Sequence, residues 1–140
     1  MAEHVVRIDV DYLGDLHTKV THAPSEQSFL TDAPVDNEGK GEYISPTDLA
    51  GASIASCVAT IMGIKARKND INIEGLHISV EKRMVNVPFR RIGKLSFEIT
   101  FKHPLAKKEF DIMANVVKTC PVTRSLHPDI ELDYKFNLPE

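Results

Sequence analysis

The sequence predicts an α+β domain in which small sheets lie beside apolar helices. Three observations carry this prediction: segments near both ends alternate apolar and polar residues, one long apolar stretch lies between them, and strands and helices do not alternate regularly. Sheets with one apolar face are typical of α+β proteins rather than of doubly wound ones. The length fits a single domain, with strands and a loop in 1–44, a central helix in 45–69 and the remaining elements in 70–140.

Alternation with a period of two predicts most of the strands. Val6, Ile8, Val10 and Tyr12 alternate with charged residues, which is the pattern of a half-buried strand. Further predicted strands are Leu16–His22, Gln27–Thr31, Leu76–Glu81, Leu95–Phe101 and Ile130–Leu138. The segment Asp32–Tyr43 is rich in glycine, proline and acidic residues, so it is predicted to be a loop long enough to have a function.

The central helix is predicted to begin at Ser45 and Pro46. Serine is a favoured N-cap residue, proline suits the first helical turn, and Asp48 places an acid where a capping box requires one. The following residues, LAGASIASCVATIMGI, have no polar face, so we expect the helix to be buried on all sides. Because its small residues allow another backbone to approach closely, we infer a homodimer with this helix near its centre.

A second helix is predicted after Pro104, with an apolar stripe at Ala106, Phe110, Met113 and Val117. Pro121 must end or kink this helix, because proline lacks the N–H that the helix ladder needs. The residues after Pro121 are predicted to form another helical turn.

Two cysteines, Cys57 and Cys120, are the candidates for chemistry. No secretory signal pattern precedes them, so we expect a cytoplasmic protein in which a permanent disulfide is disfavoured. Cys57 lies in apolar surroundings that raise a thiol pKa, whereas Cys120 lies beside a possible helix N-terminus that favours the thiolate. The alternative at this point is that both are inert residues packed as small hydrophobes.

Other classes of partner receive no support from the sequence. The six histidines are not spaced with cysteines as zinc ligands are, and nucleotide-binding loops are absent, so no metal or cofactor is expected. The longest uncharged run, Leu49–Ile64, is short for a membrane span, so no membrane partner is expected. Residues 65–140 are net basic, but their bases are scattered, so nucleic-acid binding is only a third alternative.

Two cysteine motifs give the sequence a resemblance to a known family. Ser45-Pro46-Thr47-Asp48-Leu49, followed by Cys57 in a helix rich in small residues, resembles the first cysteine motif of the OsmC/Ohr family. The segment Thr119–Leu126, which contains Cys120-Pro121, resembles the second, and the Thr31–Pro34 and Gly39–Gly41 segments are similar to the loop before the first motif. The resemblance covers most of the chain in the same order.

This resemblance implies a fold and an activity. The fold would consist of antiparallel sheets around two central apolar helices in an intertwined homodimer. The activity would be reduction of organic hydroperoxides, with Cys57 as the attacking thiolate, Cys120 as the resolving thiol, and a small or protein-borne dithiol as reductant. An alternative is a non-catalytic protein of the same fold that binds a small apolar ligand or senses redox state.

The activating residues of the family's peroxidases are not matched. Thr47 follows Pro46 where that branch has glutamate, and the only arginine in the N-terminal region, Arg7, lies on a predicted strand. Lys40, Arg83 and Arg124 are the candidates for a positive charge that would lower the thiol pKa, and the sequence does not choose among them. Asp48 is expected either to cap the helix or to act in catalysis.

Overall fold

The computed structural model describes residues 3–140; Met1 and Ala2, which the predicted domain includes, lie outside them. The α+β class is confirmed. The elements, in chain order, are β1 (Ile8–Gly14), β2 (His17–His22), β3 (Ser28–Asp32), α1 (Pro46–Lys68), β4 (His77–Val85), β5 (Arg91–Thr100), α2 (Lys107–Val116), α3 (Pro121–Ser125) and β6 (Glu131–Asn137). Single 3₁₀ turns at Val35–Asn37 and Val117–Thr119 complete them.

The chain divides into two compact units, Met1–Leu49 and Ala50–Glu140. Each holds one three-stranded sheet, in the order β1-β2-β3 in the first and β4-β5-β6 in the second. The organisation as a single domain over 1–140 stays a prediction.

The sheet of the first unit is antiparallel, and one face of it is apolar. Val10 pairs with Val20, which in turn pairs with Phe29, so these side chains form one row across the sheet. The predicted half-burial of the first strand differs from what is found, because Ile8, Val10 and Tyr12 are 59%, 60% and 67% exposed. Val6 precedes the strand. The alternation therefore identified an apolar face that the fold of one chain leaves uncovered.

The sheet of the second unit is mixed, which corrects the expectation of antiparallel sheets. β4 and β5 form an antiparallel hairpin, whereas β5 and β6 run parallel. The reason is the connection between them: α2 and α3 carry the chain back to the end of the sheet at which β5 began, and such a crossover yields a parallel pair.

The core of the second unit lies between one face of α1 and the inner faces of β5 and β6. α1 buries Gly51, Ile54, Val58, Met62 and Ala66. A Cβ on Gly51 would lie only 3.3 Å from Val80 Cγ1 and 3.4 Å from Leu95 Cδ2, so glycine allows the helix to lie close to β4 and β5. The core residues from the rest of the unit are Ile71, Leu95, Phe97, Ile99, Phe101, Met113, Val117 and Cys120.

The opposite face of α1 is exposed, which differs from the expectation of burial on all sides. Ala52, Ser53, Ser56 and Thr60 are exposed, and Ile64 is 50% exposed. α1 is also longer than the uncharged run on which the expectation of no membrane span rested. By length and composition alone it could cross a membrane, but this is weak evidence because core helices of soluble proteins meet the same criteria.

The predicted start of α1 agrees with the structure, whereas α2 begins later than predicted. The Ser45 hydroxyl accepts a hydrogen bond from the Asp48 amide at 3.1 Å, and the Asp48 carboxylate accepts one from the Ser45 amide at 3.0 Å. These two reciprocal bonds form a capping box. α2 begins three residues after the predicted start at Pro104, because the Glu109 carboxylate accepts the Ala106 amide at 2.8 Å and caps the helix there. Pro121 ends this helical segment and starts α3.

Candidate functional site

Cys57 and Cys120 lie side by side in the second unit, although 62 residues separate them in the sequence. Their side chains share a hydrogen bond, and both thiols are free. α1 carries Cys57 on the border between its buried and exposed faces, and Cys120 occupies the N-cap position of α3. The structure therefore brings together the two residues that the sequence predicted as reactive.

The two thiols differ in their access to solvent. Cys57 is partly exposed, whereas Cys120 is 0% exposed and belongs to the core. Cys57 is therefore the member of the pair on the solvent side.

The immediate surroundings of Cys57 favour its neutral form. Burial raises the pKa of the Cys57 thiol, and both the hydrogen bond and the charge of Cys120 raise it further. The Val122 amide acts in the opposite direction, but it does not reverse the shift. The sequence-based expectation of a raised pKa in this apolar helix agrees with this result.

Cys120 has the opposite character. Burial alone raises the pKa of its thiol, but hydrogen bonds from the Thr123 amide, the Cys57 thiol and the Val122 amide outweigh it, and the pKa of Cys120 is lowered. The turn after Pro121 supplies these amides, because residues at the start of a helix have backbone N–H groups without helical partners. Thr123 also donates its hydroxyl to the Cys120 carbonyl oxygen at 2.9 Å, which fixes the turn.

Tyr134 is the neighbour of the thiol pair that sequence reasoning missed. It lies on β6, stacks on Phe97 with ring centroids 5.1 Å apart, and lies close enough to Cys120 for a charge on that sulfur to act on it. Burial and then the Cys120 charge raise the pKa of Tyr134, so its hydroxyl stays protonated at neutral pH. The sequence marked Tyr134 only as an apolar position on a strand, and its place beside Cys120 depends on the parallel pairing of β5 with β6.

Two of the three candidate cations, Arg83 and Arg124, lie in the same unit as Cys57. In the unit 50–140, the charge that acts on the pKa of Cys57 is that of Cys120, and neither Arg83 nor Arg124 contributes. Arg83 forms an ion pair with Glu81, with 3.9 Å between Nη2 and Oε2. Within the other unit, Lys40 forms an ion pair with Asp15, with 3.4 Å between Nζ and Oδ2. The thiol pair thus has backbone amides as its main polar surroundings.

Asp48, the third predicted site residue, is placed in a capping role. Its carboxylate oxygen accepts the Ser45 amide, as described above. A direct part of Asp48 in catalysis stays a prediction. Across residues 3–140, no group of three or more histidine, cysteine or acidic side chains is arranged to hold a metal ion.

The comparison with protein families decides the assignment. The model of the OsmC-like protein family matches residues 39–135, which include both cysteine motifs and the Gly39–Gly41 segment before the first. The chain belongs to the OsmC-like family.

Solved structures agree with this OsmC-like assignment. A Psychrobacter arcticus protein assigned to the osmotic stress induced and detoxification response is 44% identical, with a TM-score of 0.90 over 97% of this chain and 98% of the other. The organic hydroperoxide resistance protein OsmC of Legionella pneumophila is 14% identical, with a TM-score of 0.77 over 98% and 99%. OhrB of Bacillus subtilis, also an organic hydroperoxide resistance protein, is 14% identical, with a TM-score of 0.72 over 96% and 98%. The curated proteins contain no match.

Proposed function

We propose that this OsmC-like protein is a thiol peroxidase that reduces organic hydroperoxides through a dithiol–disulfide cycle of Cys57 and Cys120. The observation that carries the proposal is the contact between the two free thiols, one reachable from solvent and one buried. Relatives of the same fold confer resistance to organic hydroperoxides, which supports this class of substrate.

The cycle begins at the sulfur that solvent can reach. The Cys57 sulfur attacks the distal oxygen of the hydroperoxide, the O–O bond breaks, and the alkoxide leaves and takes a proton to become an alcohol. Cys57 is then a sulfenic acid. The Cys120 sulfur attacks the Cys57 sulfur, hydroxide leaves as water, and an intramolecular disulfide remains. A dithiol reductant restores both thiols by disulfide exchange.

The surroundings of the thiols favour an organic rather than a purely polar substrate. Cys57 packs against the apolar core together with Ala55, Ile61 and Val122. An alkyl group of a hydroperoxide would replace water at this apolar border, which is favourable at roughly 25 cal/mol for each Å² buried.

The uncovered surfaces of a single chain support a homodimer as the working form. The exposed face of α1 and the apolar face of the β1-β2-β3 sheet both lack a cover in one chain. Exposed apolar patches of this kind mark interaction sites. The two units also carry opposite net charges, because residues 1–49 hold ten acids and three bases and residues 50–140 hold ten acids and fourteen bases.

Turnover with matched cysteine variants tests the activity. Reduced protein is mixed with cumene hydroperoxide and a dithiol, and loss of peroxide is followed. We expect turnover in the natural protein, none in Cys57→Ser, and a single burst without turnover in Cys120→Ser. Survival of both thiols in excess hydroperoxide would show that the protein is not a peroxidase and would favour the non-catalytic alternative.

A further inference from the structure

A long loop of the first unit, residues 33–44, is fastened back onto the sheet from which it starts, and we call it the strap. Two bonds hold its returning end. The Asp32 amide donates to the Ile44 carbonyl oxygen at 3.2 Å, and the Glu42 amide donates to the Asp32 carboxylate at 3.0 Å. The sequence predicted a loop with a function here, and the peroxidase cycle proposed above gives it no role.

His17 lies where the strap meets the sheet. β2 places it directly opposite Asp32 on β3, so the two side chains lie on the same face of the sheet. The His17 Nε2 atom lies 3.5 Å from Asp32 Oδ2 and 3.8 Å from Glu42 Oε2, and its ring meets the Tyr43 ring edge-on with centroids 5.5 Å apart. The side chain of His17 is only 17% exposed, and its Nε2 is buried and makes no hydrogen bond. One buried nitrogen therefore faces two carboxylates, one from the sheet and one from the strap.

The charge of this nitrogen decides how strongly it holds the strap. A neutral imidazole leaves a buried polar atom without a partner, which costs free energy. A charged imidazole is attracted to both carboxylates, and at these distances the attraction offsets the cost of burying the charge. The Glu42 amide and, less strongly, the His17 charge act to hold the pKa of the Asp32 carboxyl below its ordinary value, so the charged ring and this carboxylate attract each other. Histidine is also the side chain whose charge ordinarily changes near neutral pH.

The other groups around His17 do not replace this control. Gly14, which lies opposite His17 on β1, has no side chain to contribute a charge. Asp15, on the turn between β1 and β2, lines the same surface hollow as His17 and Tyr43, but it forms an ion pair with Lys40 of the strap. Both members of that pair are exposed, and exposed pairs contribute little. The strap therefore has one strong polar tie to Asp32 and one whose strength follows the charge of His17.

We propose that His17 is a pH-sensitive latch for the strap. When its ring is charged, it holds Glu42, and with it the returning end of the strap, against the sheet. When the ring is neutral, this tie is lost while the backbone bonds to Asp32 remain, so the strap opens more often without the sheet unfolding. The tie is complete below the pH range in which histidine titrates and is lost as the pH rises through it. The proposal concerns the first unit alone and does not depend on the peroxidase activity.

Hydrogen exchange of the Glu42 amide tests the latch, because its bond to Asp32 must break before the amide can exchange. Exchange in the full chain is measured by NMR at about pH 5.5 and about pH 7.5, both above the range in which carboxylates ordinarily titrate. Each rate is divided by the intrinsic rate of an unfolded peptide at the same pH, which gives a protection factor. Protection should be higher at the lower pH by about fivefold or more, the lower end of the usual coupling between two sites. Equal protection, or higher protection at the higher pH, would overturn the proposal.

A pair of histidine variants identifies the titrating group. His17→Gln has no charge to gain, so its Glu42 amide should be protected equally at both pH values. His22→Gln is the matched control, because His22 lies on the same strand and its Nδ1 contacts Ser25 Oγ at 2.6 Å instead of the strap. The control should keep the ratio of the natural protein. A ratio that persists in His17→Gln, or that disappears in His22→Gln, would contradict the latch.

Glu42→Gln tests the same latch from the side of the strap and leaves His17 in place if His17→Gln does not fold. It keeps the backbone amide that bonds to Asp32 but removes the charge that His17 holds. The ratio of the two protection factors should fall toward one. Glu38→Gln removes an exposed acid of the same strap and should leave the ratio unchanged. An equal ratio in Glu42→Gln and in Glu38→Gln would refute the role of His17.

Discussion

At the scale of single residues, a few backbone and side-chain contacts distinguish the two thiols. Cys57 and Cys120 have the same side chain, yet the pKa of the first is raised and that of the second is lowered. Burial acts in the same direction on both. The difference comes from the amides of the turn after Pro121 and from the hydrogen bond between the thiols, because a charge on one of two neighbouring thiols opposes a charge on the other.

Asp48 gives a residue-scale prediction about stability rather than catalysis. Asp48→Ala removes the acceptor for the Ser45 amide, so the free energy of unfolding should fall by about 1 kcal/mol, the usual value of a capping interaction. Urea denaturation measures this. Asp48→Asn keeps an oxygen acceptor and is the control, which should retain most of the stability and the full rate of Cys57 oxidation. A large loss of that rate in Asp48→Asn would show that the carboxylate takes part in catalysis.

Asp32 predicts how stability depends on pH. Its carboxylate is buried and accepts a hydrogen bond from the Glu42 amide at 3.0 Å. This bond, the Ala33 and Lys40 amides and the charge of His17 together hold the pKa of Asp32 below the ordinary 3.8, although burial acts to raise it. A group with a lowered folded pKa stabilises the protein above its unfolded pKa, and this stabilisation is lost as the pH falls through the folded value.

The measurement is the free energy of unfolding at pH 7 and at pH values below 3.8. We expect the natural protein to lose more stability between them than Asp32→Asn does. Glu26→Gln, on an exposed turn, is the control and should resemble the natural protein. An identical loss in Asp32→Asn would contradict the assignment.

At the scale of elements, α1 determines where the site can lie. Its buried face packs on the inner side of the β4-β5-β6 sheet, and Cys57 lies at the edge of that face. Gly51 allows the close approach to Val80 and Leu95. The depth of Cys57 therefore follows from the fit of a glycine about 1.7 turns earlier.

A size series at Gly51 tests this packing. Gly51→Ala adds a Cβ that fits with small shifts, so stability should change by less than about 1 kcal/mol. Gly51→Leu must push α1 away from β4 and β5 and should destabilise the protein by about 1–3 kcal/mol, the usual cost of overpacking. Thermal unfolding followed by circular dichroism measures both. A leucine tolerated as well as alanine would show that the helix does not lie this close to the sheet.

The same elements show which features of the fold and the site could be predicted from the sequence and which could not. The start of α1 was predictable because Ser45, Pro46 and Asp48 act locally, and so was the break at Pro121. The parallel pairing of β6 with β5 was not, because alternation identifies a strand but says nothing about its neighbour. Tyr134 escaped notice for that reason. The contact of Cys57 with Cys120 came only from the family resemblance, since sequence spacing carries no information on distance.

At the scale of the whole molecule, the account depends on a second copy of the chain. α1 was predicted to be buried on all sides, and one protomer covers only half of it. The apolar row on the first sheet is uncovered as well. Both surfaces were visible in the sequence as apolar patterns, but the sequence could not show which of them a single chain covers.

Ser56→Arg tests the proposed dimer. Ser56 lies on the exposed face of α1, so an arginine there would place a charge between two helices and should convert a dimer into monomers at micromolar concentration. Ser79→Arg is the control, because Ser79 lies on the exposed polar face of β4. Sedimentation velocity distinguishes the two species. A stable, folded monomer in the natural protein at that concentration would contradict the dimer.

The most direct test of the central claim is the fate of the two thiols after one equivalent of cumene hydroperoxide. Reduced protein is oxidised, the remaining thiols are alkylated, and the digested chain is examined by mass spectrometry. The account predicts loss of both thiols in each chain and a disulfide-linked peptide pair that contains Cys57 and Cys120 of the same chain. Two alkylated cysteines, or a disulfide between different chains, would contradict it.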